Sequence, residues 1–388
     1  MADSDLKRIT IIGTGLIGGS LGLALKATNF PGVEIVGHDR DRGTANQAKK
    51  RGAIDKAEHN LPRAVRGASL VIIATPVLAM REVMDQIAPD LAVGAIVTDT
   101  ASTKADVLKW ADELLPDHVN FIAGHPMAGK EKQGIDVADG ALFQGRAYCV
   151  CPSVSASESS VKTILGLAES VGANPIFIDP AEHDQYAAAI SHLPLMMATA
   201  LFNLMRTSPS WEDMAQMASS GFTDTTRLAS TDPTMSHDIW TTNREAIIHW
   251  LERMEGELGR FRKLLEDAND AELLDTFART QIERDSFLLD PPRRTAESSM
   301  PGQDDSRGIM LDMLVGGMVA DKVRRAQKDI EASERSTDKR QPRDKPDEKG
   351  ERRSSFGDRI AEGVRRDLEK LEAERGEASK GPDDNDKT

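Results

Sequence analysis

Residues 8–27 read RITIIGTGLIGGSLGLALKA, and this stretch decides the fold. Ile9, Thr10, Ile11 and Ile12 form a short β-branched run, the composition of a buried strand. Gly13-Thr14-Gly15-Leu16-Ile17-Gly18 follows as G-x-G-x-x-G, and from Leu16 onward apolar residues recur at helical spacing. In a strand–turn–helix context the first glycine permits the tight turn. The second lets the backbone approach a pyrophosphate, and the third lets helix and strand pack closely. The first turn of the helix then presents unpaired N–H groups and a partial positive charge to the phosphates. Immediately downstream, VEIVGHD (33–39) reads as a second strand ending on Asp39. A carboxylate about 20 residues past the glycines accepts bonds from ribose hydroxyls and repels a 2′-phosphate. Gly13, Gly15, Leu16, Ile17, Gly18 and Asp39 therefore predict a dinucleotide site that takes NAD in preference to NADP, with Arg40 and Arg42 the neighbouring charges that favour the opposite choice.

The alternation continues outward from there. ASLVIIATP (68–76), GAIVTD (94–99), VNFIAG (119–124), RAYCVCP (146–152) and NPIFID (174–179) are strand-length apolar runs. Helix-like segments lie at 78–88, 103–115 and 156–171. Strands alternating with helices predict a parallel sheet covered on both faces. From about residue 181 to 290 the pattern turns wholly helical and rich in Met and Ala, which predicts a separate all-helical domain. The fold class is thus α/β: a Rossmann-type dinucleotide-binding domain over 1–180, then a helical domain over 181–290. Residues 291–388 read as a linker, an amphipathic helix at 308–330 and a charged tail after about 331 that is disordered or at best a solvated helix around 356–375.

A formal net charge of −14 over 388 residues argues against a nucleic-acid-binding surface. No apolar run in the sequence reads as a membrane span. The start, MADSDLKRIT, lacks the basic and apolar regions of a signal peptide, so the chain is expected to be cytoplasmic. Cys149 and Cys151 form a C-x-C on an expected strand, which reads as two small buried residues and not as a redox or zinc motif.

The stretch FIAGHPMAGKEKQG (121–134) places a single imidazole, His125, between Gly124 and Pro126 at a strand's carboxyl end. That is the sheet edge where ligands of open α/β sheets bind. An imidazole there can take the proton of an alcohol as its carbon gives up hydride. Ser102, in DTASTK after the preceding strand, either orients that imidazole and shares the substrate hydroxyl or caps the following helix. Thr75 and Pro76 end a strand at the same edge and are expected to line the nicotinamide side, or to be ordinary turn residues.

The stretches IIGTGLIGGSLGLALK, VIIATPV, VTDTASTK, GHPMAGKEKQGIDVADGALFQG, AISHLP and TRLASTDPTMSHDIWTTN together resemble the prephenate/arogenate dehydrogenase family of tyrosine biosynthesis. The resemblance spans roughly residues 8–245, in the family's order. It implies that His125 is catalytic, that Ser102 is its active-site neighbour and that Arg227 binds a substrate carboxylate. It also implies an NAD-dependent oxidative decarboxylation without a metal, acting on a small-molecule substrate, and a homodimer formed through the helical region. Arg227 has a plainer reading as a salt bridge with Asp224 or Asp232. His192, in SHLP, either contacts substrate or serves the helix. Lys130 either meets an anionic substrate or is solvated. Two positions depart from the family pattern: Leu195 stands where many members have the last histidine of SHLPH, and Ser236 stands for the tryptophan of DPxMW. The resemblance thus favours a prephenate dehydrogenase, with an arogenate dehydrogenase as the alternative suggested by Leu195. A β-hydroxyacid dehydrogenase and a non-catalytic NAD(H)-binding protein are the remaining alternatives.

Overall fold

The computed structural model describes residues 7–153 and 155–292. Their contacts divide into two compact units, one running through Arg253 and one starting at Met254. The expected boundary near residue 180 is where the sheet ends, and the elements from there to Arg253 share a compact unit with the sheet. The amphipathic helix expected at 308–330 and the charged tail beyond 331 lie outside the described residues.

The first unit is built on β1 (Lys7–Ile12), α1 (Leu16–Ala27), β2 (Val33–His38), α2 (Arg42–Lys50), β3 (Lys56–Ala57), α3 (Leu61–Val65), β4 (Ala68–Ile73), α4 (Val77–Ile87), β5 (Ile96–Asp99), α5 (Ala105–Leu114), β6 (Asn120–Pro126), β7 (Ala147–Pro152), α6 (Glu158–Ser170) and β8 (Asn174–Phe177). The eight strands form one sheet in the order β3-β2-β1-β4-β5-β6-β7-β8. The order reverses beside β1, the topological switch point at which such sheets bind nucleotides. One pairing departs from the expected parallel sheet: β7 runs antiparallel to β6, with His125 opposite Cys149. The reason lies in the connection. Residues 127–146 contain only a 3₁₀ turn, Ile135–Val137, and no crossover helix of the kind a parallel return requires.

Alternation along the strands sends side chains to both faces. Leu70 and Ile72 of β4 pack with Leu21 and Leu25 of α1 and with Ile164 and Leu167 of α6, all buried. Val71 and Ile73 pack on the other face with Met80 and Met84 of α4 and Val107 of α5. Cys149 and Cys151 are free thiols buried in this second layer. Gly13 has φ +88, and a Cβ on it would stand 2.4 Å from the Ala74 carbonyl oxygen. A Cβ on Gly18 would stand 1.9 Å from the Gly13 oxygen. Only hydrogen fits at either position, so the turn that sequence assigned to the glycines is required by packing.

Beyond the sheet, α7 (Pro180–Ala187), a π-helical turn (Ala188–His192) and α8 (Leu193–Arg206) make one continuous helix. By length and composition this helix, with a mean hydropathy of 1.4 over its most apolar part, could cross a membrane, contrary to the expectation that no segment reaches that size. It nevertheless carries His183, Asp184 and His192, buried and hydrogen-bonded within the unit. Those bonds fix one side of the helix in the unit, while only 28% of its apolar window is buried; the sequence reading missed it because polar residues interrupt its apolar run. α9 (Trp211–Met217), α10 (Ser220–Thr226), α11 (Pro233–Thr242) and α12 (Arg244–Glu266) follow. In the second unit, the C-terminal part of α12 and α13 (Asp270–Leu289) are tied by the stacked rings of Phe261 and Phe277, 6.0 Å between centroids.

Candidate active site

The carboxyl edge of the sheet receives the N-termini of α1, α2, α4 and α5, each a partial positive charge with unpaired N–H groups. Three of them are satisfied by carboxylates. Asp41 accepts from Gly43 N at the start of α2. Asp238, from α11, accepts from Leu78 N at α4, 3.1 Å. Asp184, from α7, accepts from Lys104 N and Ala105 N at α5, at 2.8 and 2.9 Å. Only α1 begins without a side-chain cap, at Gly15, where a Cβ would meet nothing within 4 Å. An open helix N-terminus over a glycine turn is the arrangement a pyrophosphate fills.

Asp39 sits against that turn. Its Oδ2 accepts from Thr14 N at 2.8 Å and its Oδ1 from Asp41 N at 3.0 Å. The Ala74–Thr75 backbone abuts Gly13, so the turn carrying Thr75 and Pro76 borders the same cleft. Gly13, Gly15, Leu16, Ile17 and Gly18 with Asp39 fit a dinucleotide: the cradle is free of side chains and its cation-like end is uncapped. Among the described residues no group of three His, Cys, Asp or Glu is arranged to hold a metal.

His125 lies within β6 as its penultimate residue, one position further into the ladder than a strand ending at Gly124 would put it. Its backbone neighbour is clamped. Asp99 Oδ1 accepts from Gly124 N at 3.0 Å, and Lys104 Nζ donates to Gly124 O at 2.6 Å. Lys104 Nζ and Asp99 Oδ2 also form a fully buried ion pair. His125 Nδ1 lies 2.9 Å from His183 Nε2, and His183 Nδ1 lies 2.8 Å from Asp184 Oδ1. Nε2 of His125 makes no hydrogen bond and is not sealed from solvent. Burial first, then the neighbouring His183, Lys104 and His192, push the His125 imidazolium well below its ordinary range, so the ring is a neutral base at pH 7.

The other expected site residues are placed as follows. Ser102 is half-buried in the loop between β5 and α5, and α5 starts at Ala105 with Lys104 as its capping residue, so Ser102 is not the cap. Arg227, at the end of α10, donates from Nη1 to Glu131 Oε1 at 2.9 Å, not to Asp224 or Asp232. This pair brings the helical part to the loop that follows His125. Arg51 holds the same loop through the Ile135 and Ala138 carbonyls, at 2.7 and 3.0 Å. Lys130 donates to Asp139 and to the Val137 carbonyl, both at 3.1 Å. His192 is fully buried in the π-helical turn, its Nδ1 3.2 Å from Asn243 Nδ2 and its Nε2 without a partner. Burial lowers its pKa to about 4. Leu195 is buried, and Ser236 donates back to Asp232 O.

Sequence reasoning missed His183, Asp184, Asp238 and the ion-paired role of Lys104. A signal existed for the first two: an adjacent His-Asp at the start of an otherwise apolar helix, where neither side chain suits a greasy face.

Comparison with known proteins identifies the family. A family model described as the prephenate dehydrogenase nucleotide-binding domain matches residues 21–177, and one described as the prephenate dehydrogenase dimerization domain matches 179–279. A prephenate dehydrogenase of Bacillus subtilis (strain 168) is 33% identical over 283 residues, 72% of this chain and 76% of that protein. A cyclohexadienyl dehydrogenase of Zymomonas mobilis is 30% identical over 286 residues, 73% of this chain and 97% of that protein. Among solved structures, Synechocystis arogenate dehydrogenase superposes with a TM-score of 0.63 at 30% identity, covering 72% of this chain and 99% of that one. Prephenate dehydrogenase from A. aeolicus, in complex with hydroxyphenyl propionate and NAD+, superposes with a TM-score of 0.68 at 27% identity, covering 72% and 98%.

Proposed function

Because this chain belongs to the prephenate dehydrogenase family, we propose that it catalyses the NAD-dependent oxidative decarboxylation of prephenate to 4-hydroxyphenylpyruvate. The observation that supports this reading most directly is the placement of His125. A buried, neutral imidazole lies next to last in β6, at the same carboxyl edge of the sheet that receives the uncapped N-terminus of α1, with its Nε2 unbonded among the described residues.

NAD, when bound, supplies the hydride acceptor. Prephenate carries a ring hydroxyl on a C–H carbon, para to a quaternary carbon that bears a carboxylate. As the hydride leaves, His125 Nε2 accepts the hydroxyl proton, which pushes the oxygen's electron pair into the ring. The bond to the carboxylate breaks, CO2 departs with that bond's pair left behind, and the ring becomes aromatic. The product is a phenol, so the proton held by His125 returns to the phenolate oxygen, and no net proton is released. Ser102, in the loop beside β6, would orient the imidazole or bind the same hydroxyl. Arg227 would hold a substrate carboxylate, since its planar fork bonds both oxygens. Glu131 shields that guanidinium until a substrate competes for it.

Arogenate is the alternative substrate. Leu195, buried and apolar where many members carry histidine, removes a polar group from the helical side. We further assign the protein a cytoplasmic homodimer. The dimerization-domain match and the exposed Tyr186, Ile190, Phe202 and Leu204 along the α7–α8 helix support that assembly. Sedimentation at micromolar concentration tests it, and a monomer alone would reject it.

NADH formation with prephenate and with arogenate, in turn, tests the reaction. His125→Ala should lower kcat by roughly 10²–10⁴-fold, the range for losing a positioned base, with NAD affinity unchanged. An Ala variant that keeps most of the wild-type kcat overturns the assignment.

A further inference from the structure

We propose that His183 and Asp184 form a positioning pair that sets the tautomer of His125 and shares the charge it acquires during turnover. The inference rests on the reading of His125 as the base.

The hydrogen-bond directions follow from fixed donors. Lys104 N–H points at Asp184 Oδ1 and Ala105 N–H at Oδ2, so both oxygens are acceptors. His183 Nδ1, 2.8 Å from Oδ1, is therefore the donor of that bond. With His183 neutral, as proposed, its one N–H is given to Asp184 and its Nε2 carries the lone pair. His125 Nδ1, 2.9 Å from it, must then hold the proton, which leaves the His125 lone pair on Nε2. Nε2 is the nitrogen the proposed reaction needs as acceptor. Without His183 the ring would be free to hold its proton on either nitrogen, and one of those tautomers cannot take a hydroxyl proton.

The same chain addresses charge. Burial first, and then the Lys104 ammonium, oppose a positive charge on the His125 ring. Asp99 is already neutralised by Lys104. The remaining carboxylate within reach is Asp184, one ring away. When His125 Nε2 gains the hydroxyl proton, His125 Nδ1–H still faces His183 Nε2. The charge is then spread over two hydrogen-bonded rings that end on a carboxylate. The proton later returns to the phenolate oxygen, so the pair stores charge for part of one turnover and conducts nothing to bulk water. Asp184 is held in place by the N-terminus of α5, whose dipole fixes a carboxylate there.

The test joins kinetics to a direct reading of protonation. With histidine ¹⁵N-labelled, the His125 resonances are assigned by difference from His125→Asn. In the wild-type protein without substrate at neutral pH, His125 Nδ1 should carry the proton and Nε2 should be bare. His183→Leu should lower kcat about 10- to 10²-fold, less than removal of the base itself, with the KM for substrate and the Kd for NAD within about threefold. In the same variant the His125 ring should show both tautomers. His183→Gln, which restores an acceptor for His125 Nδ1–H, should regain part of kcat. A wild-type His125 protonated on Nε2, or a folded His183→Leu variant with unchanged kcat, would overturn the proposal. If the Leu variant does not fold, the wild-type spectrum decides alone. Because that spectrum needs no substrate, it stands whether or not the protein oxidises prephenate.

Discussion

Lys104 and Asp99 form a fully buried ion pair that holds Gly124 from both sides, Asp99 accepting from its N–H and Lys104 donating to its carbonyl. The pair therefore joins the ends of β5 and β6 immediately before His125. A buried pair of this kind adds little net stability compared with apolar replacement, but removing one partner strands a charge. Lys104→Met should destabilise the protein by about 3–5 kcal/mol. The double variant Lys104→Met, Asp99→Leu should recover much of that stability while still losing activity, because Gly124 is no longer held. Urea denaturation beside turnover measures both. A double variant with normal kcat would show the pair to be dispensable for positioning His125.

Cofactor choice should follow Asp39. Its carboxylate already rests on the Thr14 amide at the glycine turn, so a 2′-phosphate arriving there meets a fixed negative charge. The wild type should use NAD with a higher kcat/KM than NADP, and Asp39→Ser should narrow the gap. Equal use of both cofactors by the wild type at matched ionic strength would contradict the argument.

Arg227 and Glu131 are both more than half exposed, so their ion pair should contribute under about 1 kcal/mol to stability. Arg227→Ala should raise the KM for prephenate at least tenfold and leave kcat within about tenfold, the pattern of a contact made equally in ground and transition states. Glu131→Gln cuts the same ion pair but keeps the guanidinium, and should leave KM at or below the wild-type value. If both variants raise KM alike, the ion pair and not the cation is what substrate binding needs.

Stability should fall with acid in a defined window. His192 has a folded pKa of about 4, and His125 is also well below 6.5. The unfolded chain takes up protons on both rings near 6.5, which the folded chain refuses. Stability is therefore full above about pH 6.5 and declines as pH falls toward 4. The His192 share reaches roughly 3 kcal/mol at the acid end. Unfolding free energies at pH 7.5, 6 and 4.5 should show the slope, and His192→Asn should flatten it. A variant with an undiminished slope would place the effect elsewhere.

The parts legible in the sequence are those fixed by local constraint. Gly13 and Gly18 are demanded by backbone contacts only hydrogen allows, Asp39 by its place at a strand end, and His125 by the Gly and Pro that flank it. What stayed hidden depends on distant partners. An N-cap is recognised by its spacing to the helix it starts, but α5 and α4 are capped from residues 184 and 238, some 80 and 160 positions along the chain. No spacing rule reaches that far. The reversed direction of β7 was equally invisible in RAYCVCP, since a buried strand reads the same either way. The clue lay in the connection, where residues 127–146 lack a helical period. The two-residue β3 is too short and polar to stand out from its loop.

The caps from Asp184 and Asp238 bear on how such a chain can be inherited. A sheet-bearing half transplanted onto another relative's helical half would arrive with two helix ends unsatisfied and, beside one of them, a base without its tautomer partner. Recombination at residue 180 therefore cuts through a working constellation even though it passes between two recognisable modules. The lineage is expected to keep the two segments together and to vary positions such as Leu195 and Ser236, whose side chains make no hydrogen bond to the sheet among the described residues.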